Sequence, residues 1–130
     1  ERQARRTGRT IELDVRRRAV VEARPQAVAR AIRNLVENAA KFSPDETSIT
    51  VIVDGGAVTV LDAGPGIPEA DRSRVFDRFH RVEATRTMPG SGLGLSIVKQ
   101  VAEAHGGSVS ATEAPGGGAA VGFVLPTVDD

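Results

Sequence analysis

The residues most suited to chemistry fall in three short stretches. Asn34 and Asn38 stand four apart, with Lys41 three further on. On a helix this spacing projects two amides and an ammonium from one side. Asn is a mediocre helix former that usually sits at caps and turns, so two in mid-helix beside a cation suggest a site for a metal and an anion. An amide oxygen is a hard ligand suited to Mg²⁺, which keeps several waters and takes oxygens from phosphate. Asp62 is followed by Gly64 and Gly66. A carboxylate there can accept a hydrogen bond from an exocyclic amine, such as N6 of adenine, while glycine lets the backbone approach a flat ring. Gly90, Gly92 and Gly94 lead into a helical pattern, offering phosphates backbone N–H groups and the positive end of a helix dipole. A dinucleotide-binding G-x-G-x-x-G does not fit this run, because its third glycine would fall at Leu95 and no strand immediately precedes it.

These residues need elements to hold them. Val28, Ile32, Leu35, Val36 and Ala39 recur at offsets of three and four, which predicts a helix from Pro25 to about Phe42 with one buried face. Ser43 before Pro44 is pushed out of the helical region and ends it. Thr10 to Val15 alternates like a strand, and Ala19 to Arg24 reads as a second, shorter one. Ser48 to Val53 and Ala57 to Leu61 flank Asp54-Gly55-Gly56, a hairpin signal that leaves Asp62 at a strand end. Pro68 to Asp71 starts a short helix, and Arg72 to Phe79 adds a turn or two, with Phe76 and Phe79 on one inward face. His80 to Pro89 has almost nothing apolar to bury and reads as a mobile loop. Leu93 to His105 is a second amphipathic helix, with Leu93, Ile97, Val101 and Ala104 on one face and Gly106-Gly107 as its cap. Ser108 to Thr112 and Ala119 to Leu125 are the last strands, joined by a turn at Pro115 to Gly118. The order predicts an α+β two-layer sandwich: a mixed, mostly antiparallel sheet covered on one face by about three helices.

Taken together, "ARAIRNLVENAAKFSP" (Ala29 to Pro44), "DAGPGI" (Asp62 to Ile67), "FDRFHR" (Phe76 to Arg81) and "GSGLGLSIV" (Gly90 to Val98) resemble, in order and spacing, the ATP-binding domain of sensor histidine kinases. That domain belongs to the superfamily shared by gyrase, the heat-shock chaperone and the mismatch-repair ATPases, and the resemblance spans about Arg24 to Pro126. It implies a Bergerat-type ATP-binding fold in a two-component sensor kinase, with Mg-ATP as ligand. The chain is then one domain, with residues 1–9 as linker or frayed terminus and 80–92 as a lid over the nucleotide that orders only with ligand. The implied roles are adenine recognition by Asp62 with Gly64, Gly66 and Ile67, and Mg²⁺ ligation by Asn38 supported by Asn34. Phosphate contacts are implied for Lys41, Arg81 and the Gly90, Gly92, Leu93, Gly94 and Leu95 segment, with Arg86 a lesser candidate. Phe42 lines the nucleotide where the family often has Tyr, so its hydroxyl is missing. Ala119 stands where the family often has Thr or Ser.

The resemblance also implies partners. Neither His80, followed by Arg81, nor His105, followed by Gly106, has the acidic neighbour of a phosphoacceptor. The acceptor His is therefore expected on a separate dimerisation domain, with a response regulator downstream, and no residue here need act as nucleophile. Alternatives are an anti-sigma-type protein serine kinase and a nucleotide-sensing interaction module without transfer activity. A gyrase-like ATPase fits less well, since that group usually has an acidic base where this chain has Asn34.

Composition narrows the field further. With 130 residues, a single core is expected. There is no cysteine, so thiolate chemistry and disulfides are excluded. Lys+Arg and Asp+Glu balance at 17 each and aromatics are 3%, which argues against a basic nucleic-acid footprint and against stacking platforms. No apolar run reaches the roughly 20 residues of a membrane span. The expectation is a cytoplasmic domain, without membrane contact of its own, of a membrane-anchored parent.

Overall fold

The computed structural model describes residues 10–43, 47–64, 66–67, 69–72, 75–76, 94–115 and 117–128, with Phe42 and Asp71 described for backbone alone. The elements are β1 (Thr10–Arg17), α1 (Pro25–Phe42), β2 (Ser48–Asp54), β3 (Ala57–Leu61), a 3₁₀ turn (Glu69–Asp71), α2 (Gly94–Ala104), β4 (Ser108–Glu113) and β5 (Ala119–Val124). The sheet order is β1-β2-β3-β5-β4. β1 pairs parallel with β2, and the other neighbours are antiparallel. This is the expected mixed, mostly antiparallel sheet with helices on one face.

Strand alternation decides the layering. Val51, Val60, Val121 and Ala111 are cross-strand partners in one row, and Val53, Val58, Phe123 and Val109 in the next. Both rows face the helices and, with Ile49, Ala31, Leu35, Ala39, Val98 and Ala102, make the core. The alternate residues, among them Thr50, Thr59, Gly122, Ser110 and Thr112, form the opposite face. The helix layer stops short of β1: Leu13 pairs with buried Val51 yet is 69% exposed.

Helix ends follow local chemistry. Arg24 caps α1 in extended conformation without a side-chain bond, and Pro25 occupies the first turn, where its missing N–H costs nothing. Ser43, also extended, closes the other end with its N–H on the Ala39 carbonyl. The N–H of Gly107 reaches the Ala102 carbonyl and that of Gly106 the Glu103 carbonyl, with Gly106 at φ +79. That is a Schellman ending, in which glycine supplies the left-handed residue.

Two expectations need correction. Residues 18–24 form no strand. Val20 is 60% exposed there, and the one backbone bond of this stretch to the C-terminal segment is Val128 N–H to the Val20 carbonyl. An isolated bond cannot make a ladder. The inward face of α2 is centred on Val98 and Ala102, with Ser96 also buried, whereas Ile97 and Val101 are half-buried and Ala104 is exposed. The helix is rotated because it packs against α1 as well as against β4 and β5. The described residues hold two α-helices and a 3₁₀ turn. Phe76 is buried as expected; the rest of the 72–79 expectation, including Phe79, lies mostly outside the described residues.

Candidate functional site

Asp62 is the first residue beyond β3, and it extends the pairing of that strand with β5. Its N–H donates to the Ala119 carbonyl at 3.0 Å. In return the Ala119 N–H donates to Asp62 Oδ1 at 2.9 Å, and the Gly64 N–H donates to the same oxygen at 2.9 Å. The carboxylate is thus folded back over its own loop, and the side chain is held with 8% of the residue exposed. Backbone N–H bonds to a carboxylate are charge-assisted and strong. Among the described residues no donor engages Oδ2. One oxygen is committed to the fold, and the other remains an acceptor for a ligand N–H.

Two further contacts fix this loop. Gly118 has φ +82, and a Cβ placed there would lie 2.1 Å from the Asp62 carbonyl oxygen. No residue with a side chain fits that approach. Gly66, at φ +84, also approaches Gly118, whose carbonyl oxygen lies 3.3 Å from where a Cβ would be, a tight but lesser contact. From the helix layer, Ser43 Oγ accepts the Ala63 N–H at 3.2 Å. The end of α1, the exit of β3 and the entry to β5 therefore meet around Asp62.

On α1, Asn34, Asn38 and Lys41 are all half-buried. Asn34 Nδ2 makes a long contact, 3.4 Å, to the carbonyl of Gly94, the first residue of α2. No hydrogen bond joins the Asn38 amide to any described residue, so its oxygen is available as a ligand. Lys41 sits in the last turn, where a cation suits the helix dipole. Ile67 and Leu95 are half-buried against the core. A Cβ on Gly94 would meet nothing within 4 Å among the described residues. Arg81, Arg86, Gly90, Gly92, Leu93, the Phe42 side chain and the expected lid lie outside the described residues.

The arrangement fits a purine nucleotide with its metal. Asp62 offers one open carboxylate oxygen in a nearly buried setting, which an exocyclic amine can satisfy. Among the described residues there is no cluster of three or more His, Cys, Asp or Glu that could hold a metal. A single amide oxygen such as that of Asn38 is a donor of the kind that suits Mg²⁺, which completes its shell from water and phosphate.

Sequence reasoning missed Ser43, taken only as a helix stop; the signal was a hydroxyl at the end of the site-bearing helix. It also missed what Ala119 does. Its side chain offers no hydroxyl, yet a contact to Asp62 is made by its backbone N–H. His105 has a structural role. Its Nδ1 donates to the Val101 carbonyl at 2.7 Å, and its Nε2 accepts the Arg24 N–H at 3.1 Å. That joins the end of α2 to the start of α1.

Comparison with known proteins agrees with this geometry. Over 110 residues the chain is 46% identical to the signal transduction histidine-protein kinase/phosphatase MprB of Mycolicibacterium smegmatis, covering 78% of this chain and 22% of that protein. It is 38% identical over 114 residues to the sensor histidine kinase WalK of Bacillus subtilis, covering 82% of this chain and 19% of that one. The chain thus spans about a fifth of the length of these curated relatives. Among solved structures, a mycobacterial sensor histidine kinase MprB superposes with TM-score 0.82 at 37% identity, over 97% of this chain and 90% of that one. Full-length ShkA in complex with AMPPNP gives TM-score 0.78 at 30% identity, over 99% of this chain and 28% of that one. A family model described as histidine kinase-, DNA gyrase B-, and HSP90-like ATPase matches residues 23–129, and the chain belongs to that family.

Proposed function

We propose that this chain is the ATP-binding catalytic domain of a two-component sensor histidine kinase. It holds Mg-ATP and presents the γ-phosphoryl group to a histidine on a separate dimerisation domain, for later transfer to a response regulator. The observation that carries the reading is the Asp62 carboxylate, with Oδ1 taken by two backbone N–H groups and Oδ2 open. The similarity to MprB and WalK supports the kinase class, and the AMPPNP complex of ShkA supports a triphosphate ligand.

In this reading Asp62 accepts from the adenine amine, with Gly64, Gly66 and Ile67 beside the ring. Asn38 ligates Mg²⁺, Asn34 steadies the start of α2, and Lys41 and Arg81 neutralise phosphate charge. The Gly90–Leu95 segment gives backbone N–H groups to the phosphates, with residues 80–92 as a lid. Bound Mg²⁺ supplies charge neutralisation on the phosphates. Phosphoryl transfer needs mainly positioning and charge compensation from the protein, so these residues act as holders. The chain acts as one domain, with residues 1–9 as linker. No described helix is long and apolar enough to cross a membrane, and we place the domain on the cytoplasmic side of a membrane-anchored parent.

The test is calorimetric titration of ATP with and without Mg²⁺ into the wild-type chain and the Asn38→Ala variant. Phosphotransfer to an added dimerisation domain follows. Saturable binding whose Mg²⁺ dependence is lost in Asn38→Ala, with label appearing on the acceptor His, is the expected result. Label on a serine of a separate protein would favour an anti-sigma-type kinase. Binding without transfer would favour a nucleotide-sensing module.

A further inference from the structure

A cavity of about 390 Å³ lies between α2, the segment after the 3₁₀ turn, and β4. Arg72, Phe76, Lys99, Val109, Ser110 and Ala111 line it. None of these residues is assigned to the nucleotide, and the inference does not depend on that reading.

Val109, Ser110 and Ala111 are consecutive residues of β4, whose side chains alternate between the two faces of the sheet. Three in a row can line one cavity only where it opens along the edge of the strand and its main chain. β4 is an outermost strand, paired with β5 on one side only. Its other row of N–H and C=O groups faces the cavity without a strand partner among the described residues. The opposite edge is different. β1 carries Glu12, Asp14, Arg16 and Arg17 and a register irregularity between Val15 and Arg17, features that blunt an edge against further pairing. β4 keeps an unbroken register and has no charged residue before Glu113.

Charge narrows the occupant. Arg72 and Lys99 are half-buried. Arg72 Nε donates to the Ile67 carbonyl at 3.0 Å, which fixes the guanidinium while leaving its remaining N–H groups for a ligand. Among the described residues the ion pairs are Arg16–Asp14 and Arg17–Asp54, so neither cavity cation has a carboxylate partner. Buried Phe76 adds an apolar wall.

We propose that this groove docks an extended segment of a partner protein bearing an acidic side chain. Its main chain pairs with the outer edge of β4, its carboxylate lies between Arg72 and Lys99, and an apolar side chain two residues away, on the same face of the added strand, rests on Phe76. This is strand addition, in which main-chain bonds give affinity and alternate side chains give specificity.

The test uses the labelled peptide acetyl-Val-Thr-Glu-Thr-Val-amide and its counterpart with Gln for Glu. Anisotropy reads binding to the wild-type chain and Lys99→Glu, and amide NMR shifts locate it. The Glu peptide should bind more tightly than the Gln peptide by roughly fivefold, the upper range for one partly exposed ion pair. Lys99→Glu should abolish that preference while binding ATP as the wild type does, and the shifts should centre on Val109 to Ala111. Equal binding of the two peptides, shifts on β1 instead, or no binding at millimolar peptide would overturn the proposal. So would displacement by free glutarate at the peptide's own concentration, which would mark a small-anion pocket.

Discussion

Replacing Asp62 with Asn separates the two tasks of its carboxylate. The amide oxygen takes the position of Oδ1 and keeps the N–H groups of Gly64 and Ala119, each 2.9 Å away. The amide nitrogen takes the position of Oδ2 and turns an acceptor into a donor. Neutral hydrogen bonds contribute about 1 kcal/mol net and those to a charged group about 1.5–3, so the variant should lose about 1–4 kcal/mol over the two bonds. A domain with about 5–15 kcal/mol in hand remains folded. Nucleotide binding should suffer more. The charged bond to the adenine amine is lost, and two donors now oppose each other, for a total of about 3–5 kcal/mol. That raises the Kd for ATP roughly 150- to 5,000-fold. Inosine triphosphate presents a carbonyl where adenine has the amine, so the variant should prefer it over ATP, the reverse of wild type. Urea denaturation and calorimetric titration with both nucleotides read the two effects separately. A folded Asp62→Asn variant that binds ATP within threefold of wild type, or keeps its preference for ATP, would refute the assignment. Asp62→Ala is the contrast: both N–H groups are orphaned, that of Ala119 in a residue only 3% exposed, at about 1–3 kcal/mol each.

Gly118→Ala should destabilise the domain by at least the ~1–3 kcal/mol of a strained left-handed residue, since its Cβ would also meet the Asp62 carbonyl oxygen at 2.1 Å. A urea midpoint near that of wild type would mean that the Asp62 loop can relax away from β5. Gly94→Ala meets no described atom within 4 Å and should leave stability unchanged or raise it by up to about 1 kcal/mol. If the Gly94 backbone contacts phosphate, the same variant weakens ATP binding; unchanged titration curves would remove Gly94 from the site. His105→Ala loses both bonds that join Val101 and Arg24. It should cost about 1–3 kcal/mol in thermal or urea unfolding without altering ATP affinity per folded molecule.

How much could be read from the chain depends on the range of the interaction. The α1 pattern was legible because helix periodicity is local, although Ala31, fully buried, gave no hydropathy signal of its own. The β2–β3 hairpin was legible because Asp54-Gly55-Gly56 specifies its turn, and the pairing of Asp54 with Ala57 follows. Residues 19–24 misled because apolar alternation implies a strand only when a partner strand is present. The rotation of α2 was illegible for a related reason. Its inward face uses Ser96, Val98 and Ala102, and small residues mark a helix–helix contact that hydropathy alone does not reveal.

The candidate site divides along the same line. Asp62 was legible from its type and its place after a strand, but what holds it was not, because Ala119 and Gly118 come from a strand more than fifty residues later. That distance has a consequence. The side chain of Asp62 is oriented by the same β3–β5 register that aligns Val60 with Val121 in the core. Shifting this register by one residue would turn the core face outward and remove the N–H of Ala119 from Oδ1 in the same step. The Asp62 carboxylate is therefore as firmly fixed as the sheet itself. The contacts on the α1 side are longer: Asn34 reaches α2 at 3.4 Å, and Ser43 Oγ accepts the Ala63 N–H at 3.2 Å. Amide exchange should then show Ala119 opening only with the whole sheet, and Ala63 opening at lower free energy. Equal protection at the two amides would mean that the helix and the sheet hold the Asp62 loop as a single unit.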